Sequence, residues 1–128
     1  MNPLFILGGL FFCHYLGDYT FLSRPFMLKA KATGSPVWPI FIHACIHGLL
    51  MLLLLLCVMT TSTWSLIPEL ILIQVLTHFA IDVWKGMMNV WFPILKHNTK
   101  YPHWTIFGLD QLLHTFVILF MYHLITKP

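Results

Sequence analysis

Four stretches of the chain are apolar over a length sufficient to cross a membrane, which takes about 20 residues per helix. They cover residues 3–23, 37–60, 64–89 and 104–126. Into each is set a pair of polar side chains four positions apart: His14 and Asp18, His43 and His47, His78 and Asp82, Asp110 and His114. Residues four apart lie one turn above another on the same helix face. The pattern predicts an all-α membrane protein, a single domain over residues 1–128 built as a four-transmembrane-helix bundle. Each helix would turn one polar stripe toward a common centre.

The intervals between the apolar stretches differ in character. The first, 24–36, holds Arg24, Lys29 and Lys31 and ends in the breaker run Thr33-Gly34-Ser35-Pro36. The second, at 61–63, is short and uncharged. The third, 90–103, carries Lys96, Lys100, Pro93 and Pro102, with Lys85 just before it. Basic residues favour the cytoplasmic side, and all of them except Lys127 lie in or beside the first and third intervals. The topology expected is therefore a bacterial inner-membrane protein with both termini outside. Trp38, Trp64, Trp84, Trp91 and Trp104 fall near the predicted helix ends, where an aromatic belt sits.

Composition strengthens the membrane reading. Apolar residues make up 59% of the chain and charged residues 9%, against about 25% charged in soluble domains. A net charge of +3 is too small to suggest a nucleic-acid partner. Cys13, Cys45 and Cys57 have no C-x-x-C spacing and read as small buried hydrophobes. The first stretch does not read as a cleaved signal peptide: it lacks a basic n-region and contains His14 and Asp18.

Only four side chains in the whole sequence are acidic, and three of them belong to the pairs. With helices one and three running toward the cytoplasm and two and four away, all eight residues fall within roughly 15 Å of the cytoplasmic edge, at about 1.5 Å per residue. A deep layer would hold His14, His47, His78 and His114, and a shallow one Asp18, His43, Asp82 and Asp110. His-x-x-x-Asp, a basic interval and His/Asp-x-x-x-His recur once in each half, which suggests a duplication.

Ionisable groups at membrane depth cost about 2.5–3.5 kcal/mol each on insertion scales. One or two divalent cations bound by these eight residues would offset that cost. Mixed His/Asp ligation without thiolates suits zinc first, manganese or iron also, and is unlike a closed structural zinc site. A lone histidine in a membrane helix is more often a hydrogen-bonded packing residue than a ligand, and a purely polar His–Asp network is the bland reading of the whole set. Four pairs at one depth favour the metal. A metal with an open position activates water, with Asp18, Asp82 or Asp110 as general base. Lys29, Lys31 and Lys85 border that level and are candidates to hold a substrate phosphate, although topology alone accounts for them equally well. His97, His103 and His123 fall outside the pattern.

At His14-Tyr15-Leu16-Gly17-Asp18-Tyr19, His43 to His47, His78-Phe79-Ala80-Ile81-Asp82, Lys85 and Asp110-Gln111-Leu112-Leu113-His114 the chain resembles a membrane family of bacteria and their viruses, domain of unknown function 3307. The family commonly follows its Gly-Asp-Phe with Leu-Gln, where this chain has Thr20-Phe21-Leu22-Ser23. More distantly, the helix-borne His/Asp pattern is similar to that of membrane metal-dependent hydrolases acting on lipids, a fold-level analogy.

The function expected is an intramembrane metal-dependent hydrolase that cleaves an ester, amide or phosphate bond of a membrane lipid at the cytoplasmic leaflet. Alternatives are a metal or proton transporter, or a small non-enzymatic membrane interaction protein, phage-encoded for instance, with a polar core. The almost wholly apolar runs 49–59 and 115–122 count against a transport path. Bis-histidine haem ligation fits least, since three of the four pairs contain Asp. The expected partners are a lipid substrate and, as an open option, a second copy in a homodimer.

Overall fold

A computed structural model describes residues 3–127. Five α-helices follow one another: α1 (Pro3–Tyr19), α2 (Pro25–Thr33), α3 (Val37–Val58), α4 (Ile67–Trp91) and α5 (Tyr101–Thr126). Short 3₁₀ turns, Thr61–Leu66 and Pro93–Lys96, join the last three. No strand occurs among the described residues. The stretches Val37–Val58, Thr63–Trp91 and Tyr101–Thr126 are each long and apolar enough to cross a membrane, as in a membrane protein. At 17 residues α1 is shorter, about 25 Å long.

Helix α2 is the departure from the sequence pattern, which left residues 24–36 as a connection. Its signals are local. Pro25 stands at the first helical position, where a missing N–H costs nothing. Gly34 ends the helix at φ 68°, the left-handed conformation that glycine adopts without steric cost. The helix is amphiphilic only weakly, so periodicity did not reveal it. It packs on α3 and α4. A Cβ on Gly86 of α4 would overlap the Gly34 backbone, so the two glycines allow direct backbone contact there. Asn89 adds a hydrogen bond from its Nδ2 to the Ala32 carbonyl, 3.3 Å.

The distribution of polarity is inverted relative to a soluble bundle. Leu49, Leu53, Leu72, Leu76, Phe116 and Phe120 lie on the exterior, each more than half exposed, while His43, His78, Asp82 and Asp110 are buried. An apolar exterior of this extent suits hydrocarbon rather than water. Cys45 and Cys57 share that exposed surface. They are therefore not the buried small hydrophobes expected; only Cys13 is partly buried, with its thiol on the Leu50 carbonyl at 3.5 Å.

The interior divides into two ends. Ile6, Leu10, Met51, Leu55, Leu70, Ile118 and Met121 form one continuous apolar cluster. At the other end the same inward stripes continue as histidine and aspartate. On α4 the buried residues run Ile67, Leu70, Gln74, His78, Asp82, Gly86, spaced by three or four throughout. The helical face stays constant and its chemistry changes along the axis.

Candidate metal centre

Asp18 and Asp82 anchor the polar end. Asp18 Oδ1 lies 2.9 Å from His43 Nε2, 3.4 Å from His47 Nε2 and 3.8 Å from His78 Nε2. Asp82 Oδ2 lies 3.4 Å from His78 Nε2 and 3.7 Å from His43 Nε2. Atoms bonded to one tetrahedral ion at about 2.1 Å lie about 3.4 Å from each other. Two overlapping sets have the proximity to hold a metal ion: Asp18, His43, His47 and His78, and His78, Asp82 and His114.

Close approach of α1 to α3 makes the first set possible. A Cβ on Gly17 would overlap the His47 ring, so glycine beside Asp18 admits the imidazole. The rings then crowd together: His47 stacks on His78 with centroids 3.7 Å apart, and His114 sits 4.4 Å from His78.

Backbone and hydroxyl groups orient two of the rings. His114 Nδ1 donates to the Asp110 carbonyl at 2.9 Å, which leaves Nε2 as the ligating nitrogen. Ser23 Oγ donates its proton to the Gly17 carbonyl at 2.9 Å and lies 3.4 Å from His43 Nδ1. The hydroxyl has one proton, so His43 Nδ1 is the donor in that pair and Nε2 keeps its lone pair. Outer hydrogen bonds of this kind are how proteins fix the tautomer of a metal-binding histidine.

His43 Nε2 and Asp18 Oδ1 are then two electron-rich atoms 2.9 Å apart. They need a cation between them. Lys31, carried in by α2, supplies one: Nζ is 2.9 Å from Asp18 Oδ1, 3.0 Å from His43 Nε2 and 3.1 Å from Asp82 Oδ2. Burial opposes the charge on this lysine, yet Asp82 and Asp18 outweigh it and hold its pKa above the usual value. Other inward atoms are left without hydrogen-bond partners among the described residues: Nε2 of His47, His78 and His114, and Asp110 Oδ1. Such atoms are costly in an interior unless something binds them.

Six of the eight expected ligands thus meet in the two sets. The other two flank them. His14 is 3.5 Å from Asp18 Oδ2, with its ring 5.0 Å from that of His114. Asp110 Oδ2 accepts from Lys85 Nζ at 2.9 Å and from Gln111 Nε2 at 3.1 Å. Of the three phosphate candidates, Lys31 lies in the centre, Lys85 beside it, and Lys29 on the exposed face of α2. His97 and His123 are exposed, while His103 bonds the Leu95 carbonyl. Sequence reading passed over Ser23 as a ligand-orienting group, because its role depends on a hydrogen bond across twenty residues. It also missed Gln74, buried one turn from His78 with its Oε1 unpaired.

A family model for the protein of unknown function DUF3307 matches residues 6–128. The chain belongs to that family. The match spans all four polar pairs, so the DUF3307 assignment covers the whole candidate centre. No curated protein matches the chain, and no solved structure does.

Proposed function

We propose that this DUF3307 protein is a four-helix integral membrane, metal-dependent hydrolase acting on a membrane lipid at the cytoplasmic leaflet. One observation carries the reading. Unpaired imidazole nitrogens on α3, α4 and α5 converge on the carboxylates of α1 and α4, at the spacing of ligands to a common ion. The donor set, neutral imidazole with carboxylate, fits zinc first and manganese or iron next. When bound, such an ion lowers the pKa of water to about 7 and polarises an ester or phosphoryl oxygen.

The chain's own residues divide the remaining tasks. Asp110 belongs to neither ligand set, its Oδ2 is held by Lys85 and Gln111, and its buried Oδ1 is unpaired. That makes it the best of the three aspartates to take a proton from water; Asp18 and Asp82 ligate. The apolar exterior allows a lipid to approach between helices, with α1 as the fourth span and the basic segments around Lys31, Lys85 and Lys96 on the cytoplasmic side. Among the described residues the interior at the opposite end is an apolar cluster running from Ile6 to Met121, which weighs against a transporter.

Lys31 favours a second reading. Its ammonium satisfies Asp18, Asp82 and His43 without any metal, so the cluster can serve as a structural polar core. Metal content decides between them. Detergent-purified protein prepared without chelators should carry one or two equivalents of zinc, manganese or iron by inductively coupled plasma mass spectrometry. The Asp82→Ala/His114→Ala variant should lose it. Metal-free wild type would establish the polar core and end the hydrolase reading.

A further inference from the structure

Against the ligand sets, between α1, α2, α4 and α5, lies a cavity of about 310 Å³. Its polar lining includes Asp18, Lys31, Lys85, Asn89, Asp110 and Gln111, with His103 beside them. Lys31 therefore belongs to two places at once. Its ammonium sits among the metal-ligand atoms, and its side chain walls the cavity.

Charge fixes what the cavity requires. Asp18, Asp82 and Asp110 bring three negative charges to this end, and Lys31 and Lys85 bring two positive ones. With the imidazoles neutral, as ligation demands, the site carries one net negative charge. A single divalent ion turns that into one net positive charge, and a second ion into three. Excess charge of either sign is costly in a low-dielectric interior unless a counter-ion joins it. The loaded site calls for an anion.

Position fixes where the anion goes. An ion in the first set competes with the Lys31 ammonium for Asp18 and His43, and an ion in the second set competes with it for Asp82, since Nζ is within 3.1 Å of an atom of each. The cavity that Lys31 already lines is the nearest place for the displaced ammonium. There it would face the same space as Lys85, with Asn89 and Gln111 as amide donors. A phosphate monoester carries about −1.5 to −2 charges at neutral pH and three acceptor oxygens, whereas a fatty carboxylate carries one charge and an ester or amide carbonyl none. Two ammonium groups beside a metal match the phosphate. Tyr19 and Leu28, both about half exposed, line the same cavity and give it an apolar rim at the outer surface.

Resting on the hydrolase reading, we infer that this cavity binds the phosphate group of a lipid phosphate monoester, with Lys31 and Lys85 as its cations. In the reaction the oxygen of water bonds to phosphorus and the bond from phosphorus to the lipid oxygen breaks. One water proton passes through Asp110 to the departing lipid alcohol, and the other remains on the released phosphate.

The test uses the zinc-loaded full chain in nanodiscs of phosphatidylcholine containing phosphatidic acid. Expected are release of inorganic phosphate, no release of fatty acid, and competition by added phosphate. Lys85→Met should raise KM for phosphatidic acid at least about tenfold, the loss of one charge-assisted contact, while Lys85→Arg keeps most of the wild-type value and zinc content stays the same. Fatty acid release without phosphate release would overturn the phosphate inference and leave the hydrolase reading standing. Glycerol 3-phosphate turned over as fast as phosphatidic acid would keep the phosphate and remove the lipid. If zinc-loaded protein cleaves neither lipid, the hydrolase reading fails, and calorimetric titration with inorganic phosphate decides the cavity by itself. Saturable binding weakened in Lys85→Met supports it; no binding overturns it.

Discussion

The two ends of the bundle are built from the same helical stripes and solve opposite problems. At the apolar end, Leu10, Leu55, Leu70 and Met121 fill space. Inside a membrane their burial gains little from leaving water, because the exterior is apolar too, and close packing must supply the cohesion. At the polar end, His43, His47, His78, Asp18 and Asp82 meet with unmatched lone pairs and charge. Their cohesion depends on a cation, either the Lys31 ammonium or a metal. One end is tolerant and generic, while the other is demanding and chemically specified.

The largest effect should come from unbalancing the polar end. Asp18→Ala/Asp82→Ala leaves the Lys31 ammonium buried against His43 alone, and removing the partners of a buried charge costs about 3–5 kcal/mol. Thermal unfolding in detergent micelles would register it. Adding Lys31→Met to the same double variant should restore most of the loss, because no charge then remains unpaired at that point. Failure of this rescue would mean that the aspartates stabilise the fold by something other than balancing the lysine.

Cutting into the other end should be nearly as costly but chemically silent. Leu55→Ala removes a fully buried side chain from the apolar cluster, a change worth about 2–5 kcal/mol in well-packed cores. It should leave metal content by mass spectrometry unchanged. If metal were lost as well, the two ends would not be separable.

A smaller effect is expected where α2 docks. Gly86→Val forces a side chain into the Gly34 backbone, and overpacking of this kind costs about 1–3 kcal/mol. Since Lys31 reaches Asp82 only from the docked α2, amide hydrogen exchange in residues 25–33 should quicken. Unchanged exchange would show that α2 is held by its other contacts.

The finest distinction is at Ser23. Ser23→Ala removes the hydroxyl that fixes the His43 tautomer while leaving every ligand in place. Loss of such an outer contact weakens metal binding about 10–100-fold, measurable by competition with a zinc-sensitive dye, with the melting temperature close to wild type. Equal loss of stability and affinity would instead make Ser23 a packing residue.

The all-α class, the long apolar helices and the ligand candidates were legible in the chain, because each depends on local spacing. A repeat of four puts His78 and Asp82 on one helical face whatever surrounds them, and a run of apolar residues limits a helix to a hydrocarbon exterior. Short-range chemistry even marked α2, bracketed by Pro25 and Gly34, although the breaker residues around it drew attention to a loop. The tertiary structure decided the rest. It separated Asp110 from the ligand sets by giving it to Lys85, set Lys31 rather than Lys29 among the carboxylates, and joined Ser23 to His43. These pairings span between 13 and 51 positions in sequence. No local rule reaches that far, since they depend on how closely glycines let one backbone approach another. The sequence determined which groups face inward, and only the packed bundle decided which of them touch.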